Sequence, residues 1–548
     1  MSIQTYKMLA QNKDGKVYYK REGTFTESDV KKFYRYQFEV PEGTQEIQFI
    51  FNYSPRALQD PEKNRQLIKN AVQEYIEEYS KDDKVKIKEL FKQKMQMFFD
   101  EVYPIRNLLD VLFYDTEGSY VGSLARLGFG RLAWVNKSGA SPGFTPRKIK
   151  PGIWMMEIVV ASIVTGNCHY KMEISLFNKE SGGRIKVKGE EKIVVRAGIG
   201  TGKALLKREN HWYAGELYVH SNHSDGENSI EEIIKKAKME GLDFFALTDH
   251  NTVSGYDSIP QDDSFPIIKG IEITTFWGHA LGLGMKSLIN WRRDNGEVRN
   301  INDVINEVHT QGALFSIAHP FCIGDPICVG CRWKFKEIDY RLIDMIEVWC
   351  NSWRLGKIEN YRSFKLWDKL LNEELKVTGV SSRDWHDVNK ASKYGPIPKT
   401  FVYATSLTEN KLIEGLKKGN VFVSSGPMVF FSAKHENKNY ICGDEIEISA
   451  GKSINFTVKV ENLQTFAQMR IIKNGSVFFE KNLSSGGELI ESFSDIPIPE
   501  KFNNKKLQNS KDSKNNKDNW YRCEIYAMDK ERNLLCFTNP IYVERAKG

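Results

Sequence analysis

A chain of 548 residues is too long for a single hydrophobic core, so roughly two to four domains are expected. Its 41% hydrophobic and 27% charged content is that of ordinary soluble globular protein. The net charge of +7 is small for this length and spread over many Lys positions without a dense Arg stripe, which hints at anionic ligands and argues against a specific nucleic-acid partner.

The first residues, Met1-Ser2-Ile3-Gln4-Thr5, lack a basic segment followed by an apolar one, so no signal peptide is expected. The apolar run 155–165 is too short to span a bilayer, and a soluble cytoplasmic protein without a membrane partner is expected. Up to residue 205, short alternating segments (34–40, 46–53, 109–114, 154–161) are punctuated by turns such as Pro41-Glu-Gly and Lys150-Pro-Gly. That pattern predicts a β-sandwich. Between 60 and 103 the period becomes helical. Leu67, Ile68, Ala71, Val72, Tyr75 and Ile76 share one face, and Leu90, Phe91, Met95, Phe98 and Phe99 repeat it. A charge-rich helical hairpin inserted in a sandwich loop is the simplest reading, either as a spacer or as a partner-binding or dimer-forming arm.

Residues 206–428 alternate strand and helix. Strand-like 215–220, 244–247, 266–273, 314–318, 343–348 and 377–380 are interleaved with helical 229–240, 301–311 and 358–371, the grammar of an α/β barrel. Residues 429–548 return to alternation (454–460, 469–472, 521–528) and predict a second β-sandwich, with a mobile Lys-, Asn- and Ser-rich loop at 501–519. The fold class expected is thus multidomain α+β: a central barrel flanked by N- and C-terminal sandwiches.

Eight cysteines in so long a chain do not suggest a disulfide scaffold. Cys328-Val-Gly-Cys331, with Cys322 nearby, has the spacing of half a zinc knuckle, but a structural zinc site needs four ligands and no second pair follows. Ordinary reduced thiols are expected.

Eight of the ten histidines lie between His211 and His386. Histidine is the commonest metal ligand and a frequent acid or base, so this clustering is informative. Five predicted strand ends each offer a ligand type: His220, Asp249-His250, Glu272, His319 and the pair Asp384/His386. In α/β barrels the C-terminal strand ends converge on one face, where active sites are built.

Gly215-Glu-Leu-Tyr-Val-His-Ser-Asn-His-Ser-Asp-Gly226, Ala246-Leu-Thr-Asp-His-Asn-Thr252, Gly270-Ile-Glu-Ile273, Gly278-His279, Ala318-His-Pro320 and Gly379-Val-Ser-Ser-Arg-Asp-Trp-His386 resemble, in order, the motifs of the PHP (polymerase and histidinol phosphatase) superfamily. Ser424-Ser-Gly-Pro427 and Thr538-Asn-Pro-Ile541 are similar to the CehA/McbA-type branch of metallohydrolases. The resemblance implies a distorted β7α7 barrel carrying two to three divalent ions, with zinc, manganese and iron all compatible with the ligand types. It implies His220, Glu272 and Asp384 at one position. A second would take Glu272, His279 and His319, with Glu272 bridging, and a third Asp225, His250 and His386. Glu272, Asp384, His250 and His386 carry the catalytic expectation.

The family's opening His-x-His is here Tyr218-Val-His220. A neutral phenol is a poor ligand, so the first position is expected to be weak, absent or completed by water, with His223 a candidate substitute. Arg383 could meet a substrate phosphate or form an ion pair, and Asn351 could orient substrate or shape a turn. Asp249 is expected to support a ligating His from behind, and His309 to be a packed or surface residue. Metal ions sharing a carboxylate suit hydrolysis by a metal-bound hydroxide. The expected activity is a phosphoesterase acting on a small-molecule ester. The alternatives are a carboxyl-ester or carbamate hydrolase, and a degenerate metal-binding module for partner or sugar recognition.

Overall fold

The computed structural model describes residues 3–13, 16–80, 92, 94–96, 98–99, 104–124, 132–180, 210–261, 265–292, 298–354, 356–390, 392, 395–497 and 519–546. At the N-terminus two five-stranded sheets face each other. One runs in the order Ile3–Lys7, Lys32–Val40, Gly152–Ser162, Leu108–Tyr114, Tyr120–Leu124; the other Gln11–Lys13, Lys16–Thr26, Asn167–Phe177, Glu46–Ser54, Leu132–Asn136. The period of two in these strands sends Tyr36, Phe38, Met156, Ile158, Val111 and Phe113 into the core between the sheets. Gly152–Ser162 is buried on both faces along most of its length. Its opposite face, through Val159 and Ala161, joins Phe33 in a core shared with the middle of the chain.

Helix Pro61–Ser80 interrupts this sandwich. Its apolar face (Ile68, Val72, Tyr75, Ile76) packs with Phe98 and with Ile323, and the Tyr75 hydroxyl donates to the Phe321 carbonyl at 3.0 Å. That face therefore lies on the chain's own loop after His319. Leu90 and Phe91 lie outside the described residues, as do the proposed boundary near 205 and residues 501–518 of the proposed loop.

In the middle of the chain, hydrogen-bonded neighbours run Thr378–Ser382, Met345–Cys350, Leu314–Ile317, His279–Leu283, Ile267–Thr274, Phe244–Leu247, His211–Val219, Lys399–Ala404, Val421–Ser424. The distorted α/β barrel expected for residues 206–428 is not what the structure shows. Ile267–Thr274 and His279–Leu283 pair antiparallel across Thr275-Phe-Trp-Gly278, and His279–Leu283 pairs antiparallel with Leu314–Ile317. A connection that short cannot hold the crossover helix that parallel strands require. Helices Ile230–Met239, Ile301–Thr310, Lys357–Asn372 and Glu409–Lys418 accompany a mixed sheet. The far strand still reaches back to the first: the Trp385 amide donates to the Tyr218 carbonyl and the His220 amide to the Trp385 carbonyl, both at 2.9 Å.

This sheet does not stop at residue 428. Val421–Ser424 pairs with Leu534–Thr538 and passes through Asn519–Ala527 and Ala467–Lys473 to Ser476–Leu483. A four-stranded sheet (Lys438–Ile441, Met428–His435, Ile454–Leu463, Gly486–Asp495) covers that extension, and Phe431, Phe456, Val458, Ile471, Ile525 and Val543 fill the space between. No helix among the described residues is long and apolar enough to cross a membrane.

Candidate metal centre

The strand His211–Val219 ends in His220, and the loop behind it is held at both ends. The Asn222 amide donates to the Asn228 carbonyl and the Glu227 amide to the His386 carbonyl, while Asn228 Oδ1 accepts from the Val388 amide. Ser229 then starts the next helix as an N-cap, its hydroxyl accepting from the Glu232 amide and the Glu232 carboxylate accepting from the Ser229 amide. Asp225 is thereby set beside His250 and His386, with its Oδ1 at 3.3 and 3.2 Å from their Nε2 atoms.

Glu272, fully buried near the end of its strand, is the centre of the constellation. Its Oε1 lies 2.7 Å from His279 Nδ1, and its Oε2 lies 2.8 Å from His250 Nδ1 and 3.3 Å from His220 Nε2. His220 Nε2 also lies 3.1 Å from Asp384 Oδ1. Candidate ligand atoms gather in three groups, each within 4.8 Å: His220, Asp225, His250 and His386; His220, Glu272 and Asp384; and His279, His319 and Cys331. All eight residues singled out in the sequence are thus brought together. Cys331 is an addition.

His319 at φ +26° and Asp384 at φ +54° adopt left-handed backbone, as does Asn251 beside His250 at φ +45°. Strain at non-glycine residues persists only where the surroundings enforce it, and it clusters at functional sites. Here Glu347 holds His319, accepting from its amide at 2.6 Å while also accepting from the Ser382 hydroxyl at 2.5 Å. Thr274 Oγ1 lies 2.7 Å from His250 Nδ1. Neither Glu347 nor Thr274 is among the site residues expected from the sequence.

Burial alone would raise the Asp225 carboxyl, but His250 and His386 outweigh it and hold the group well below its ordinary range. Burial works the same way on Glu272, against His250 and His279, which hold it well below. Burial would lower His386, yet Asp225 and Asp384 push it up to about 10. Tyr218 moves the other way: burial, then the charges of Glu272 and Asp384, raise its phenol well above the usual value. Its ring stacks on His319 with the hydroxyl 3.3 Å from Nε2. A neutral phenol there fills space without replacing the family's imidazole.

Both Glu272 oxygens and Asp225 Oδ1 are buried without a well-formed hydrogen bond, although imidazole nitrogens surround them. Nitrogens and oxygens that face one another without donor alignment suit a cation between them, and mixed imidazole and carboxylate donors suit zinc, manganese or iron.

Several expectations change. His223 does not substitute for Tyr218: its Nδ1 accepts from the Gly143 amide and meets Ser254 Oγ, and its Nε2 meets Ser258 Oγ. Arg383 is engaged by Glu216 at 3.1 Å and Glu240 at 2.8 Å and lies over the Trp385 ring, so it forms an ion pair in place of a phosphate contact. Asn351, at φ +58°, accepts from the Ser352 amide and shapes a turn. Asp249 accepts from the Ser221 amide and from the Ser221 and Ser224 hydroxyls, and so braces the loop after His220 instead of a ligating ring. His309 pairs with Asp344 at 2.8 Å, as a packed helix residue would. Cys328 and Cys331 are not reduced thiols but are joined in a disulfide.

A cavity of about 250 Å³ opens beside this constellation, lined by Asn251, Thr274, Thr275 and Val329 on one side and by Leu112 and Tyr120 of the N-terminal sandwich on the other. The site is therefore flanked by a second unit of the chain.

Among known proteins, the chain is 27% identical over 159 residues to an uncharacterized protein of Methanocaldococcus jannaschii, covering 26% of this chain and 86% of that one. It is 35% identical over 75 residues to a 5'-3' exoribonuclease of Haemophilus influenzae, covering 12% of this chain and 27% of the relative. A solved two-domain protein of Bacteroides vulgatus, containing a predicted PHP-like metal-dependent phosphoesterase, aligns with 63% of this chain and 100% of its own at 14% identity and a TM-score of 0.34. Residues 216–316, which carry His220, Asp225, His250, Glu272 and His279, match the PHP domain family.

Proposed function

We propose that the chain is a metal-dependent hydrolase of the CehA/McbA-type branch, and that its reaction is phosphoester hydrolysis. The carrying observation is the buried Glu272 carboxylate between imidazoles of His220, His250 and His279, with neither oxygen in a well-formed hydrogen bond. Two to three divalent ions held by His220, Glu272 and Asp384, by Glu272, His279 and His319, and by Asp225, His250 and His386 would lower the pKa of water and offset charge on a phosphoryl oxygen. The chain's own residues do the rest. Glu347 and Thr274 fix His319 and His250 in orientation. The match to the PHP domain family and the similarity to an exoribonuclease support phosphoester chemistry over carbon esters.

Chelation should abolish turnover and added divalent metal should restore it. A panel of phosphomonoesters, phosphodiesters, carboxyl esters and carbamates separates the readings. Turnover confined to carbon esters replaces the phosphoesterase with its alternative. A fully metal-loaded chain inert to every class favours the binding module.

A further inference from the structure

The disulfide joins half-buried Cys328 to buried Cys331, and the second residue also belongs to the metal centre. Ligand atoms of His279, His319 and Cys331 lie within 4.8 Å of one another, and all three side chains are buried. The loop between the cysteines is built against these rings. Gly330 has φ +76°, and a Cβ on it would stand 2.1 Å from the Thr275 carbonyl and 3.2 Å from His279 Nε2, so a larger residue would push the loop off His279. His319 Nδ1 lies 3.2 Å from the Cys331 carbonyl, a contact in which Nδ1 carries the proton and the Nε2 lone pair faces the Tyr218 hydroxyl at 3.3 Å. Helix Pro61–Ser80 bonds the segment that leads from His319 toward these cysteines, through Tyr75 and the Phe321 carbonyl.

We infer that Cys331, once released from Cys328, is a sulfur ligand beside His279 and His319, which makes metal loading of this position dependent on the redox state of the chain. The inference rests on the metal-centre reading above. The set is then two imidazoles and one thiolate, with a fourth place left for water, a combination suited to zinc. It supplies partners that the Cys-x-x-Cys spacing lacks in sequence, because they are histidines from distant strands. The chemistry balances with a dithiol reductant. Its two thiols give two electrons and two protons to the S–S bond, yielding the Cys328 and Cys331 thiols and an oxidised dithiol. The Cys331 thiol then loses its proton to solvent as the ion binds.

The test uses the full chain, stripped by chelator, prepared oxidised or treated with dithiothreitol and desalted, then titrated with cobalt(II). Free thiols are counted, bound cobalt is measured, and the near-ultraviolet thiolate-to-cobalt band is recorded. Reduced protein should show the band and bind about one more cobalt than oxidised protein. Cys331→Ser should lose the band. Cys328→Ser should show it without any reductant, because its Cys331 is never paired, and this variant keeps the test decisive if Cys331→Ser fails to fold. Equal cobalt binding in both redox states with no band overturns the inference while leaving the metal centre standing. Failure of cobalt to bind in any state overturns both.

Discussion

Glu272 lies within 3.3 Å of three imidazoles, those of His220, His250 and His279, so its loss disturbs more than one group of candidate ligands. Removing even an outer partner of a metal ligand costs about 10–100-fold in affinity or activity, so Glu272→Gln should lower kcat/KM by more than about 100-fold. Elemental analysis should show a matching loss of bound metal. Glu216, on strand His211–Val219 that leads to His220, offers a pH probe. Burial, opposed by Arg383, raises its carboxyl from 4.5 to about 7. The folded state thus holds this proton more tightly than the unfolded one. Its contribution to stability is full below pH 4.5 and is lost as pH rises to about 7. Glu216→Gln removes that loss, so its melting temperature should gain on the parent across this window; parallel curves would contradict the assignment. Residue by residue, His220, His250, Glu272, His319 and Asp384 stood out as candidates because each combines a ligating type with the end of a predicted strand, whereas Asp225 and His279 were named only by the resemblance. The roles of Arg383 and Asn351 were not legible, since Arg383's partner Glu240 sits at a helix end that sequence does not place beside it, and Asn351's role is set by backbone at positive φ. Cys331 escaped notice because the spacing rule looked for cysteine partners and its neighbours are histidines.

Among the elements, strand Thr378–Ser382 has the most unusual support, since it leads directly to Asp384 and His386. Buried Asn539, from the far end of the chain, accepts from the Gly379 amide at 2.8 Å and donates to the carbonyls of Gly379 at 2.8 Å and Val421 at 3.1 Å. Asn539→Ala would leave those backbone groups buried without their partner, at a cost of about 1–3 kcal/mol. Chemical denaturation should show the loss, and weaker metal retention should accompany it because Asp384 follows this strand. Alternation disclosed the N-terminal strands and the 3.6-residue period disclosed helix Pro61–Ser80, since each buries one face. The central barrel was over-read. Short buried strands give no sign of their direction, so the antiparallel placement of His279–Leu283 had no signal beyond a four-residue connection. The pairing of Val421–Ser424 with Leu534–Thr538 was equally hidden, because register between segments so far apart leaves no local pattern.

Across the whole molecule the units are joined by apolar contact and by buried charge. Phe33, Val159 and Ala161 of the sandwich share one core with Ile271, Phe276 and Trp291, and the same core reaches Trp520 and Phe537. At this junction the fully buried Glu157 carboxylate takes Arg35 at 2.7 Å on one oxygen and Arg292 at 2.5 Å on the other, while Arg292 also lies over the Phe33 ring. Removing one partner of a buried ion pair typically costs about 3–5 kcal/mol, because the charge left behind is uncompensated. Arg292→Met keeps the length of the side chain, and Arg35 remains on Glu157, so the expected loss is near the lower end, about 3 kcal/mol. If uncompensated charge is the cause, adding Glu157→Gln should recover part of that stability, giving a double variant less destabilised than the sum of the single ones. Denaturant midpoints of the four proteins close this cycle. Bound metal should stay unchanged in all of them, since neither residue belongs to the ligand groups. Strict additivity would mean that the two residues stabilise the junction independently, through packing against Phe33 and Trp291, and that the buried pair itself contributes nothing to holding the sandwich against the metal-binding unit.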